Sequence, residues 1–331
     1  MRPPRILFVA MAESVHTARW IGQLEGQGWD VHLFPAREVA PHPKLRGLKL
    51  HEPLSVRPKG LDQSVEVVGE WPLPKGASLA RRIAAKLNPS WPERAWRLAR
   101  TIKELRPDLV HSMEIQHAGY LTLAARAHFA GEGFPLWAVS NWGSDIYLFG
   151  RLAAHAEKIR AVMAACDYYH CECHRDVGLA REFGFEGEAM PVFPVSGGFE
   201  VERMRALREP GPPSAKRHVV LKGVQNWAGR ALVGLRAIEL CADLLRGYRV
   251  TMYLTHPDAV LAAELLSRKT GIPIEWESGE RTHEEILRMH GSARVSIGLS
   301  ISDAISTSLL EAMIMGSFPI QSHTGCGDEW V

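Results

Sequence analysis

Short apolar runs alternate along this chain with longer amphipathic stretches, the pattern of parallel sheets wrapped by helices. In the first half the strand candidates are Ile6 to Ala10, Val31 to Phe34, Leu109 to Ser112, Leu136 to Ser140, Tyr168 to Cys171 and Met190 to Phe193. Residues 35 to 75 are Pro-rich and irregular, with one weak strand near Val65 to Val68. The alternation restarts after Glu209-Pro-Gly-Pro-Pro213, with strands at Val219 to Leu221, Val250 to Leu254, Ile272 to Trp276, Val295 to Leu299 and Phe318 to Gln321. The pattern predicts an α/β chain of two doubly wound, Rossmann-like domains: 1–208, a linker at 209–217, and 218–331. Ligands of such domains sit beyond the carboxyl ends of the strands.

That rule directs attention to the loops, above all to Ser300-Ile-Ser-Asp303-Ala-Ile-Ser-Thr-Ser308-Leu-Leu-Glu311 and the Gly316 and Pro319 that follow. Ser306, Thr307 and Ser308 are N-cap candidates for a helix over 308–315. Free amides and the positive dipole end at a helix start favour an anion such as phosphate. Asp303 falls in the loop and Glu311 one turn into the helix, so both carboxylates can face one ligand. Carboxylates beside a phosphate suit sugar hydroxyls, each charge-assisted bond contributing roughly 1.5–3 kcal/mol.

This stretch resembles the paired-acid motif of glycosyltransferase family 4, a retaining family with the GT-B fold. The resemblance implies two Rossmann-like domains facing each other across a cleft. It implies that Asp303, with backbone contacts from Ile305, Ser306 and Thr307 and help from Ser308, holds the transferred sugar, and that Glu311 holds the nucleotide ribose. Asp303 replaces the more usual Glu and shortens the reach by one methylene. The family also places an Arg and a Lys near the donor diphosphate; here they appear as Lys222 and Arg230, in the opposite order.

In the first half, Ser14, His16 and Arg19 follow the first strand, where the family's first loop lies beside donor phosphates and acceptor. Pro107-Asp108-Leu-Val-His111 is similar to the family's Pro-Asp-x-x-His, although a lone strand histidine is commonly a packed core residue. Asn141-Trp142-Gly143-Ser144-Asp145 resembles the His-Gly-x-Asp turn, with Trp142 where many members carry histidine. Indole cannot take a proton, so no general base carries over. Asp145 is a candidate for acceptor contact or for turn support. A retaining front-face reaction does not require a base, because the departing phosphate can accept the acceptor's proton.

Composition adds limits. The 331 residues are 46% hydrophobic with net charge +2 and pI ≈ 8.3, too balanced to argue for nucleic acid. No run reaches the roughly 18 apolar residues that span a bilayer. The apolar stretch after Arg2 and Arg5 is too short for a secretory signal and stops at Glu13. Five cysteines without a regular framework point to a reducing, cytoplasmic compartment. His170-Cys171-Glu172-Cys173-His174 has no second ligand pair at zinc spacing, and buried thiols followed by a helix from His174 fit it better. The expectation is therefore no metal and no required cofactor, with a nucleotide-sugar donor and a glycan, lipid-linked or small-molecule acceptor.

The segment from Lys75 to Lys103 is basic, with Arg81, Arg82, Lys86, Arg94, Arg97 and Arg100 interleaved with Trp91 and Trp96. It reads as a solvated helix face or as a peripheral contact with an anionic inner membrane leaflet. The family's terminal helices do not follow Gly325-Cys-Gly327-Asp-Glu329, so the second domain is expected to be incomplete and its sheet partly uncovered. Two further functions share this scaffold: a nucleotide-sugar epimerase, disfavoured by Trp142, and a catalytically inactive binding or scaffold protein.

Overall fold

The computed structural model describes residues 2–54, 57–71, 94–129, 131, 133–276 and 281–330. It divides into two compact units, Met1–Gly198 and Phe199–Val331. The division falls ahead of the expected boundary at 208. Helix Val201–Arg205 thus belongs to the second unit, where Met204 packs with Leu287 and Met315.

The first unit is an eight-stranded parallel sheet: β1 (Arg5–Ala10), β2 (Asp30–Pro35), β3 (Lys49–Leu54), β4 (Glu66–Trp71), β5 (Leu109–Met113), β6 (Leu136–Ser140), β7 (Tyr168–His170) and β8 (Glu188–Ala189). Their order is β4-β3-β2-β1-β5-β6-β7-β8. Side chains of β1 alternate between two cores. Leu7 and Val9 join Val110, Val139 and Trp137 on one face, while Ile6 and Phe8 join Leu33, Leu50 and Ile21 on the other. Burial on both faces explains the unbroken apolar run of β1.

Two strand expectations fail here. β3 was hidden by polar His51 and Glu52 and by Pro53, which is tolerated only where a ladder bond is dispensable. The strand expected at 190–193 is absent, and pairing stops at the two residues of β8.

The second unit is a five-stranded parallel sheet: β9 (His218–Lys222), β10 (Arg249–Tyr253), β11 (Ile274–Trp276), β12 (Val295–Gly298) and β13 (Phe318–Gln321), ordered β11-β10-β9-β12-β13. Val219, Leu221, Val250 and Met252 meet Leu235, Ile238, Ala259 and Ala263 of helices Ala231–Leu240 and Pro257–Thr270 on one face. Pro257 in the first turn and Gly271 at φ +73° bound the latter helix by the usual start and stop chemistry. Edge strand β13 leaves Phe318 and Ile320 exposed.

Of the basic segment, residues 75–93 lie outside the described residues, including Arg81, Arg82, Lys86 and Trp91. In helix Arg94–Leu105 the charges are occupied: Arg94 and Arg97 reach Glu38, Arg97 also lies over the Phe34 ring, and Arg100 pairs with Glu104. Among the described residues no helix is long and apolar enough to cross a membrane.

Both sheets bury neutral histidines. Burial pushes the pKa of His51 and His111 down to about 3, and those of His170, His218 and His290 to about 4. In the unfolded chain each titrates near about 6.5. Their contribution is thus fully present above that pH and is lost as pH falls toward the folded values, at up to about 1.4 kcal/mol per pH unit for each. Denaturant midpoints should therefore fall steeply below about pH 6.5. A flat profile down to about pH 5 would show that these rings charge without unfolding.

Candidate functional site

In the second unit β9 is flanked by β10 on one side and β12 on the other, so the connections leaving β9 and β12 run to opposite faces. Such a reversal opens a crevice at the carboxyl ends. Lys222 ends β9 there, half-buried, with no carboxylate paired to it among the described residues. The loop behind it turns tightly: a Cβ on Gly223 would lie 2.6 Å from Thr255 Oγ1, and one on Gly229 would lie 2.3 Å from the Val224 carbonyl oxygen. Both positions therefore demand glycine. Gly229 bridges Ser300, which ties this loop to the one leaving β12.

That second loop leads into helix Thr307–Ile314, one residue ahead of the expected start. Ser306 is the N-cap at φ −70°, ψ 122°, but its side chain does not cap, and the first amides of a helix have no intrahelical acceptors. Ile305 and Ser306 are buried, while Thr307 and Ser308 are half-buried. Ser308 bonds the Tyr253 hydroxyl at the end of β10. Asp303 accepts from the Ala304 amide at 3.0 Å. The loop is held down by the Cys326 amide, 2.6 Å from the Ala304 oxygen, and Gly325 packs tightly on it, where a Cβ would lie 3.0 Å from the Ala304 oxygen.

Glu311 is only 5% exposed, and its Oε1 lies 2.6 Å from His283 Nε2. His283 opens helix His283–Ser292, whose start is fixed by a reciprocal capping box between Thr282 and Glu285. Glu311, Lys222 and His283 all act electrostatically on buried His290. Lys222, His283, Ser308 and Glu311 are thus gathered around Tyr253 and His290. Arg230 is placed differently. Its Nη1 donates to the carbonyl oxygens of Asn226 and Gly229, both at 2.8 Å, so its guanidinium is folded onto its own turn. Binding a phosphate through Arg230 requires exchanging those bonds.

In the first unit the reversal falls between β1 and β5. Ser14 caps helix Val15–Gly22 by accepting from the His16 amide at 3.2 Å. His16 meets Trp142 edge-on, ring centroids 5.9 Å apart, which joins the loops after β1 and β6. Arg19 is half-buried, and Gly197, at φ +87°, packs so closely on the Arg19–Trp20 backbone that a Cβ would come within 2.8 Å.

His111 and Asp145 take structural places instead of exposed ones. His111 is 3% exposed, packs against Phe8 and Trp20, and meets Ser140 Oγ at 2.7 Å. With its pKa near 3 it stays neutral and serves the core. Asp145 accepts from the backbone amides of Ile115 at 2.9 Å and Trp142 at 2.8 Å. Burial, and then the nearby Glu114 charge, raise its pKa. Its carboxylate thus ties the Trp142 turn to the Ile115 backbone.

Sequence reasoning missed Glu114, His117 and His283. Glu114 is buried with φ +79° and ψ 155°, a region that non-glycine residues rarely enter. Its carboxylate caps the following turn through the amides of His117 and Ala118 and accepts from the His117 ring at 3.1 Å. That bond raises the His117 pKa. None of the three sits in a periodic pattern. Only the position of Glu114, directly after a strand, was a signal.

Residues 76–168 match the family model described as Glycosyl transferase 4-like. Among solved structures, a UDP-forming α,α-trehalose-phosphate synthase from Burkholderia xenovorans matches with TM-score 0.66 at 11% identity, covering 98% of this chain and 86% of that one. The E. coli trehalose-6-phosphate protein bound with UDP-2-fluoro glucose matches with TM-score 0.65 at 10% identity, with coverage of 98% and 86%. The lipopolysaccharide outer core galactosyltransferase WaaB matches with TM-score 0.57 at 14% identity, covering 96% of this chain and 80% of that one. No curated protein matches the sequence. The fold is that of the GT-B glycosyltransferases. Within it, residues 76–168 are similar to the Glycosyl transferase 4-like family.

The two assignments open for Asp145 separate in paired variants. Asp145→Asn keeps an oxygen for the two amides and should leave stability and turnover near wild type. Asp145→Ala leaves two buried donors unpaired, at about 1–3 kcal/mol each, and should lower the melting temperature. A large loss of turnover in a stable Asp145→Asn protein would instead place the carboxyl group on substrate.

Proposed function

We propose that the chain is a retaining glycosyltransferase that moves a sugar from a nucleotide-sugar donor to a hydroxyl of a glycan, lipid-linked or small-molecule acceptor, in surface polysaccharide or glycoconjugate synthesis. The observation that carries this reading is the gathering of Glu311, Lys222 and the start of helix Thr307–Ile314 around Tyr253 at the reversal of the second sheet. Trehalose-phosphate synthase neighbours that are UDP-forming, or solved with UDP-2-fluoro glucose, support a nucleotide-sugar donor.

In this reading Lys222 and the amides of Thr307 and Ser308 hold the diphosphate, and Glu311 accepts from the ribose hydroxyls. His283 takes up Glu311 Oε1, which leaves Oε2 to face the ribose. Asp303 and the Ile305 backbone hold the transferred sugar. Ser14, His16 and Arg19 contact the acceptor. The bond from the anomeric carbon to the diphosphate oxygen breaks, and the bond to the acceptor oxygen forms on the same face. The acceptor's proton passes to the departing phosphate oxygen. Positive groups that stabilise the leaving diphosphate replace a metal in this scheme. Turnover should therefore survive chelators, and strict dependence on added Mg²⁺ would count against it.

The two acids divide the work, and nucleotide-release assays over a panel of nucleotide sugars test this. Glu311→Ala loses charge-assisted bonds of roughly 1.5–3 kcal/mol each and should raise donor KM at least tenfold with kcat less affected. His283→Gln retains a donor to Oε1 and should be milder than His283→Ala. Asp303→Asn should lower kcat while the free nucleoside diphosphate binds almost as in wild type. Unchanged donor affinity in folded Glu311→Ala would remove that residue from the site.

A further inference from the structure

The edge of the second sheet opposite the donor candidates carries an open cavity of about 780 Å³. It lies at the amino ends of β9 and β10, walled by the chain leading into each strand. His218 and Lys222 are the two ends of β9, so the cavity and the donor candidates stand roughly one strand apart, about 13 Å.

Its walls are strongly basic. Lys216, Arg217, Arg246 and Arg249 line it against the single carboxylate of Glu209. Tyr248 stands among them with the Arg217 guanidinium 5.3 Å from its ring centre, and its hydroxyl accepts from Arg294 at 2.8 Å. Among the described residues only Arg246 of these five cations has an ion pair, with Asp243 at 2.7 Å, and both side chains are more than 80% exposed. An exposed pair of that kind is weak. Lys216 and Arg217 donate to the carbonyls of Gly291 and Ser214, and Arg294 also reaches Ser214. These bonds fix the heads without neutralising them. His218 adds no charge, because its two ring nitrogens meet Ser292 and Thr251 and burial holds its pKa near 4. Like charges around a concave wall focus a positive potential and repel one another. An anion would relieve that repulsion.

We propose that this cavity binds a small, multiply charged phosphate compound, such as a diphosphate or a phosphorylated sugar. The volume suits a small ligand. Guanidinium forks match phosphate oxygens in pairs, which a single ammonium cannot do. Four lining cations against one acid favour a multiply charged ligand over a monocarboxylate. The site does not use the donor residues and stands whether or not the transferase reading holds.

Calorimetric titration of the full chain with inorganic pyrophosphate tests the proposal. Lys222→Ala removes the proposed donor phosphate ligand and should leave a binding event of wild-type affinity at the cavity. In that background Arg249→Gln and Arg217→Gln should each weaken it roughly tenfold, the loss of one charge-assisted contact. Glu209→Gln should tighten it. Arg249 is exposed and has no ion-pair partner among the described residues, so its variant should melt like wild type. Affinity unchanged from the Lys222→Ala parent in both Arg249→Gln and Arg217→Gln, or loss of all binding in Lys222→Ala alone, overturns the proposal. Attachment to phosphatidic acid vesicles without any binding of free pyrophosphate also overturns it, in favour of a membrane contact.

Discussion

Every strand pairing in both sheets is parallel. A parallel pair can be joined only by a crossover that returns the chain to the starting edge. All carboxyl ends of a sheet therefore lie along one edge, and residues distant in sequence must meet there. Lys222, Tyr253 and Glu311 are neighbours for this reason. Where strand order reverses, beside β1 and beside β9, the departing loops also part company, and the backbone there is free to serve a ligand instead of a core.

The same geometry makes polar burial unavoidable, and the two units handle it alike. Side chains near the strand ends are drawn into low-dielectric surroundings, where a charge is costly. His111, His170, His218 and His290 respond by staying neutral. Acids respond by finding amides, as Asp145 and Glu114 do, or a base, as Glu311 does with His283. A perturbed pKa here is first a sign of burial. Only a group that also keeps a path to solvent, such as His117, remains available for chemistry.

What was legible in the sequence follows the same division. Strands buried on both faces, such as β1, β6 and β9, announce themselves as apolar runs, and the Ser306 cap announces helix Thr307–Ile314. β3 was not legible, because a strand of mixed polarity with a proline looks like a loop. Asp303 and Glu311 stand out as candidates through their fixed spacing around a helix start. Glu114 and His283 have no such spacing. Their importance arises from contacts across crossovers, and composition does not encode those. His111 also stands in a motif-like setting, and the packing of Phe8 and Trp20 that buries it there is not legible from the motif.

The occupied state of Glu311 bears on how such a site can discriminate. A free carboxylate accepts up to four hydrogen bonds and tolerates many hydroxyl arrangements. With Oε1 held by His283 at 2.6 Å and the group almost fully buried, one oxygen with a fixed direction remains. Pre-orientation lowers the entropy lost on binding but narrows the set of accepted ligands. Arg230 shows the reverse arrangement, bound to three carbonyls of its own turn and able to exchange them. The second unit thus combines a rigid acid with an adaptable base. A rigid acid suits recognition of a constant group such as ribose, and a group that must yield a leaving phosphate is better served by contacts that can be exchanged.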